Sequence, residues 1–284
     1  MEEQYLNLLQ NIFENGNLKT TRNGLTKSVF APNIIRMENV MENFPMLTTK
    51  KMNIKPIFEE LMFFIRGQTD TKILESKGVK IWKANTSREN LDNLGFHHYE
   101  EGDMGPMYGF QMRFFGAKYM GCDDNTRYEK DGINQIDYCI DLIKNNPNSR
   151  RICMSVWNPK DLKKGVLPAC HGSFIQFYVH KIKKKNSKGE FMDVKVLDLA
   201  TYQRSADACL GLPYDLVSYA LFLILIASVS GCQPGSVCYL LGDTHIYEAH
   251  FNKVKEQLER IPKKLPSIIL KNVHSDIRKY TLKD

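Results

Sequence analysis

The feature that most constrains this chain is a long apolar helix starting at Pro213. Its densest part, Leu221–Ser230 (LFLILIASVS), offers no charged face to water. A helix that is apolar all round belongs inside a packed core. The run is about ten residues long, against the ~20 that a membrane span needs, so a buried core helix is the reading. β-rich runs lie on both sides of it: Arg151–Trp157, Phe174–His180 and Phe191–Tyr202 before, Ser236–Leu241 after.

The remaining elements follow from periodicity and punctuation. Residues 2–15 place Tyr5, Leu8, Leu9, Ile12 and Phe13 on one helical face, and Gly16 supplies a stop. Residues 19–36 are polar and turn-rich, then alternate as a short strand. Pro56 sits in the first turn of a second helix, IFEELMFFIRG, ended by Gly67. Further helices fit Ile133–Lys144 and Ile246–Arg260. Helices interleaved with long apolar strands predict a mixed α/β (α+β) fold around a buried, twisted sheet. Residues 1–284 read as a single domain, large enough to stabilise itself without staples.

Thirty-nine basic against thirty-two acidic side chains give a formal charge of +7, which suits an anionic substrate and also weak nucleic-acid affinity. The sharpest cluster, Lys181, Lys183, Lys184, Lys185 and Lys188, ends in Gly189 and reads as a solvated hairpin tip. The seven cysteines form no CxxC pair, which excludes a disulfide framework or zinc knuckle and favours free thiols in a reducing compartment. The N-terminus, MEEQYLNLLQ, has acids where a signal peptide carries basic residues. The expectation is a cytoplasmic protein without metal.

Cys170, in LPACHG, stands at the entry to a strand, amid the turn chemistry of Pro168, His171 and Gly172. Its thiol needs a cationic neighbour to act as a thiolate at neutral pH. Arg204, in YQRSAD, supplies one if the two strands pair. Arg22, Arg150, Arg151 and Arg204 lie beside strand ends or turns. Arginine's planar fork suits phosphate, although each taken singly equally suits a surface ion pair. Glu60 interrupts an apolar helix face, where a lone carboxylate raises its own pKa. His245 and Tyr247 share one side of an extended stretch, placed to grip a hydroxyl or to cap the following helix.

These residues sit in stretches that together resemble the thymidylate synthases and their relatives, the deoxycytidylate hydroxymethylases: FPMLTTKK, FEELMFFIRGQT, GVKIWKANTSRENLDNLG, GPMYGFQMRFFGA, SRRICMSVWNP, LPACHG, YQRSADACLGLPYD and LGDTHIYEAH. The resemblance implies a mixed sheet flanked by helices, with one sheet face forming a homodimer. It implies methylenetetrahydrofolate as co-substrate and a pyrimidine nucleoside monophosphate as partner, with neither membrane nor nucleic acid. Cys170 would attack carbon 6, making carbon 5 a nucleophile for the one-carbon unit. Arg22, Arg204 and Ser205 would hold the 5′-phosphate, joined by Arg150 and Arg151 of the other subunit, and His245 and Tyr247 the deoxyribose hydroxyl. Glu60 and Tyr108 would handle protons at the base, His171 and Gln203 would support the nucleophile, and Lys50, Ile81, Trp82 and Asp207 would meet the folate.

Departures from the family pattern shape the expected chemistry. Asp215 stands where dUMP-using members carry Asn. An ionised Asp215 would confront the acceptor oxygen of uracil, whereas a carboxyl can accept from the cytosine amine and, with one shared proton, satisfy the ring nitrogen too, so the sequence points to dCMP. Thymidylate synthases end in a tail that closes over the folate, and this chain ends in RKYTLKD. Without that closure water would capture the transferred carbon. Deoxycytidylate hydroxymethylase is therefore the first expectation, with thymidylate synthase or a dCMP methylase as the alternative. A binding-only relative that uses the lysine-rich turn is a third reading. The phosphate loop is one residue short at Arg22, and one extra residue between Cys170 and Gln176 predicts a bulge in the catalytic strand.

Overall fold

The computed structural model describes residues 1–21, 24–30, 33–123 and 125–284. Helix α1 (Glu2–Asn15) leads into strands β1 (Asn17–Thr21), β2 (Gly24–Val29) and β3 (Asn33–Met37). Helices α2 (Ile54–Ile65), α3 (Lys72–Ser76), α4 (Arg88–Asn93), α5 (Gly109–Phe114) and α6 (Gln135–Asn145) follow. The C-terminal half supplies β4 (Cys153–Met154), β5 (Phe174–Lys185), β6 (Phe191–Asp207), α7 (Gly211–Val229), β7 (Gln233–Tyr247) and α8 (Phe251–Leu258).

One mixed sheet organises these elements, in the order β1-β2-β7-β6-β5-β4 with β3 also on β7. β6 and β7 run parallel with α7 as the crossover between them, and the other pairs are antiparallel. Alternate residues turn inward: Ile175 and Phe177 on β5, Leu197, Leu199, Thr201 and Gln203 on β6, Val237, Tyr239 and Leu241 on β7, all buried. They pack against α7, which is apolar on every side. At nineteen residues α7 is long and apolar enough to cross a membrane, and it outruns the ten-residue stretch read from sequence. It is nevertheless mostly enclosed, held between the sheet and α2. Burying a Leu or Ile side chain there contributes about 1.5–3 kcal/mol.

The sequence placed α1, α2, α6 and α7 close to their observed positions. Asn53 caps α2 by accepting from the Lys55 N–H, and Gly67 ends it at φ 69°, where a Cβ would strike Phe114. The lysine run is the far end of the β5–β6 hairpin, exposed as expected.

Three expectations fail. The Arg151–Trp157 strand shrinks to Cys153–Met154, which pair in register with Gln176 and Ile175 at the sheet edge, while Ile152 and Val156 make single backbone bonds to Phe177 and Gly172. The helix predicted from Ile246 starts at Phe251, because β7 remains extended through Tyr247 by pairing Thr244–Tyr247 with β2. The β5 register runs unbroken from Phe174, so the catalytic strand has no bulge. Gly172, at φ 65°, lies in the turn ahead of the strand, where a Cβ would come within 2.5 Å of the Tyr219 hydroxyl.

Candidate active site

Cys170 lies in that turn, half-buried, and its position is set by β6. The Arg204 N–H donates to the Cys170 carbonyl at 3.0 Å, which brings the two segments together as the strand-pairing argument requires. The Arg204 guanidinium then wraps the turn. Nε donates to the Ala169 carbonyl at 2.8 Å, Nη2 donates to the Pro168 carbonyl at 3.0 Å, and Nη2 stands 3.8 Å from Cys170 Sγ. The indole of Trp157 lies beneath the cation, 5.0 Å away. A thiol beside a fixed positive charge is disposed to act as a thiolate.

Tyr108 forms the wall behind the nucleophile. Its hydroxyl accepts the Cys170 N–H at 3.0 Å, and its ring lies between His171 (4.4 Å) and Phe64 (4.8 Å). Its backbone sits at φ 27°, outside the range a tyrosine ordinarily adopts. Gly109 allows α5 to approach α2 so closely that a Cβ would lie 2.9 Å from the Phe64 carbonyl oxygen. This close approach holds Tyr108 in its distorted setting.

The carboxylates at the site are desolvated. Glu60 is pushed up to about 7 by burial, partly offset by Trp82 Nε1–H, which donates to it at 2.7 Å. Trp82 lies 6.1 Å from the Tyr108 ring, and exposed Ile81 continues the rim. Asp215, on the first turns of α7, is raised well above the usual carboxylate range, chiefly by burial; Gln203 Nε2, which donates to it at 2.9 Å, works the other way. His171 is lowered to about 4 by burial, so its ring is neutral at pH 7. Its Nε2 is 3.9 Å from Asp215 Oδ1 and its Nδ1 is 3.1 Å from the Tyr219 hydroxyl. A carboxyl raised in this way is disposed to hold the one shared proton with which, on the sequence reading, it would also satisfy a cytosine ring nitrogen.

The other predicted residues have definite places. Gln203 is buried on the inward face of β6, and its Nε2 also donates to the Ser205 carbonyl at 3.0 Å. Asp207 accepts from the Cys209 and Leu210 N–H groups, so it shapes the lead-in to α7, and Lys50 Nζ holds the same turn by donating to the Cys209 carbonyl. His245 and Tyr247 lie side by side on β7, their rings 5.1 Å apart and edge-to-face. Neither side chain caps the helix that follows. Arg150 and Arg151 are exposed, and neither guanidinium has an intramolecular hydrogen bond or ion pair among the described residues. Arg22 lies outside the described residues. Trp157, half-buried, and Tyr219 and Tyr239, buried, were not readable as site residues, because aromatics look like packing until their partners are known. No cluster of three potential metal ligands occurs among the described residues.

A family model described as thymidylate synthase matches residues 3–284. The chain belongs to the thymidylate synthase family. It is 46% identical over 275 residues to the thymidylate synthase of Candida albicans, covering 95% of this chain and 86% of that protein. It is 44% identical over 284 residues to the Saccharomyces cerevisiae thymidylate synthase, covering 100% and 91%. A bifunctional dihydrofolate reductase-thymidylate synthase of Paramecium tetraurelia is 42% identical across the whole chain, which spans 57% of that longer protein. None of these three names carries the hydroxymethylase half of the resemblance. Family membership makes the protein a one-carbon transferase, with methylenetetrahydrofolate as its co-substrate.

Proposed function

We propose that this protein methylates carbon 5 of dUMP, forming dTMP at the expense of methylenetetrahydrofolate. The observation that carries the reading is the Arg204–Cys170 arrangement, a thiol held 3.8 Å from a fixed guanidinium in a site that also holds the desolvated carboxyls of Glu60 and Asp215. Cys170 Sγ adds to carbon 6, and charge moves through carbon 5 to the carbonyl at carbon 4. Glu60, protonated below about pH 7, supplies a proton toward that oxygen. The folate supplies the one-carbon unit and the hydride when bound, and the Trp82–Ile81 rim offers a flat apolar surface for its ring system. Arg204 and Ser205 with Arg150 and Arg151 bind the phosphate, while His245 and Tyr247 hold the sugar hydroxyl.

The outward face of the sheet supports a second copy as partner. Phe174 (48% exposed), Tyr178 (66%), Ile182 and Tyr202 form an apolar ridge on it, beside a hollow of about 270 Å³ between Arg36, Tyr178 and Asp198. Two such faces, stacked, would let Arg150 and Arg151 serve the neighbouring site. Seven free thiols fit a reducing, cytoplasmic setting.

Asp215 favours a second reading, with dCMP as substrate, since a carboxyl can accept from the cytosine amine and donate to its ring nitrogen. A hydroxymethyl product draws support from neither the relatives nor the site, and methyl transfer is the reading adopted. Tritium release from nucleotide labelled at carbon 5, with dihydrofolate absorbance followed in parallel, tests all three. Release from dUMP with equal dihydrofolate supports dTMP formation. Release from dCMP alone assigns the second reading, and release without dihydrofolate assigns the hydroxymethyl product.

A further inference from the structure

Two kinds of contact hold the Arg204 guanidinium. Nε and Nη2 donate to the Ala169 and Pro168 carbonyls, so one edge of the planar fork is pinned to the turn. A fork pinned along one edge can still tilt about it. A tilt would turn the second Nη2 hydrogen away from Cys170 Sγ, which lies 3.8 Å off. The ring face of Trp157, 5.0 Å from Cζ, lies across that movement, and an indole face is the strongest aromatic partner for a cation. Trp157 has little other employment. Unlike Trp82 it does not pack on the main apolar core, and among the described residues its ring meets no other aromatic ring or cation.

The backbone under this indole is fastened from both sides. Gln135, the first residue of α6, holds both backbone groups of Ser155 with one side-chain amide. Its Nε2 donates to the Ser155 carbonyl at 2.7 Å and its Oε1 accepts the Ser155 N–H at 3.0 Å, as a neighbouring strand would. Ser155 Oγ accepts the Trp157 N–H at 3.1 Å and donates to the Ser173 carbonyl at 2.6 Å, which ties the indole to the end of the Cys170 turn. On the far side, buried Asn158 donates to Asp161 Oδ2 at 2.9 Å. A half-buried ring on so firm a base is a platform for what lies over it. Resting on the one-carbon reading above, we propose that Trp157 is a positioning residue for the nucleophile: its ring face holds the Arg204 guanidinium against tilting, and this hold keeps the charge on Cys170 Sγ.

The test follows iodoacetamide alkylation of Cys170 against pH, read by peptide mass mapping, in wild type, Trp157→Phe and Trp157→Met, with tritium release from carbon 5 of dUMP and dCMP measured on the same proteins. Phe keeps an aromatic face and Met fills the space without one. Trp157→Phe should be alkylated at pH 7 within about twofold of wild type. Trp157→Met should slow about threefold, with the midpoint of its pH profile raised by about half a unit. Gln135→Leu, which frees Ser155 from outside the site, should move the profile the same way and reports even if the Met variant folds poorly. A ring that served packing alone would, on removal, loosen the turn and speed alkylation without raising the midpoint. That outcome, an unmoved profile in both Trp157→Met and Gln135→Leu, or Phe and Met slowed alike, overturns the positioning role. A wild type that releases tritium from neither nucleotide overturns the one-carbon reading, and the alkylation profiles still decide the role of Trp157.

Discussion

Arg204 reaches Cys170 twice, through its backbone N–H to the Cys170 carbonyl at 3.0 Å and through its guanidinium to the sulfur at 3.8 Å. One residue therefore fixes where the nucleophile sits and also supplies the charge beside it. Two further donations to the Pro168 and Ala169 carbonyls occupy the fork in a way that an ammonium could not copy.

Arg204→Lys is accordingly expected to lose about 100-fold in kcat/KM, since the turn loses two anchoring bonds of ~1–3 kcal/mol each. Iodoacetamide alkylation of Cys170 at pH 7, followed by peptide mass mapping, should slow by about tenfold in Arg204→Ala. An unchanged alkylation rate would separate the cation from the reactivity of the thiol.

Cys170→Ser should lower turnover by three orders of magnitude or more, because covalent attack at carbon 6 is the first chemical step. The same substitution should leave nucleotide binding, measured by calorimetry, within a factor of about three.

Glu60 makes stability depend on pH in a stated direction. Its pKa rises from 4.5 to about 7 on folding, so between those values only the folded chain holds the proton. Folding takes up a proton in that window, and this contribution falls as pH rises from 4.5 to 7. Glu60→Gln removes the cost of the ionised form. The free energy of unfolding, from urea titration, should be higher in the variant than in wild type at pH 8, by on the order of 3 kcal/mol, and match it near pH 4. Wild-type activity is expected to decline above pH 7 as Glu60 loses its proton, and the much lower residual activity of the variant should lack that decline.

Trp82→Phe deletes the N–H that steadies the Glu60 carboxylate, so the basic limb of the pH–rate profile should move upward by about half a unit to one unit. A downward movement would mean that the indole acts on the site by packing alone.

The legible parts of this molecule were those written in local periodicity and in pairs of adjacent strands. α7 declared itself by composition, and the Cys170–Arg204 encounter followed from β5 beside β6. The unusual state of Glu60 was readable from its apolar helix face, but its partner was not, because Trp82 lies twenty-two residues away in a turn with no repeating signal. β4 failed because strand propensity does not say how much of a run finds a neighbour. How strongly Asp215 is desolvated was hidden for a related reason, since its burial arises where elements distant in sequence meet only in three dimensions. Tyr239 looked like ordinary core, and only the fold shows its hydroxyl donating to the Gln203 amide oxygen.

The backbone at Tyr108 has a consequence for how far this protein can be hardened. A φ of 27° on a tyrosine stores about 1–3 kcal/mol of torsional distortion, carried by the close seating of α5 on α2. A glycine at that position would release the tension but would also forfeit a buried ring, and deleting such a ring costs ~3–5 kcal/mol, more than the distortion stores. It would also remove the ring that backs His171 and the hydroxyl that meets the Cys170 N–H. The strained backbone is thus held in place by the burial of its own side chain, and the ring that serves the nucleophile is also the one the core cannot lose cheaply.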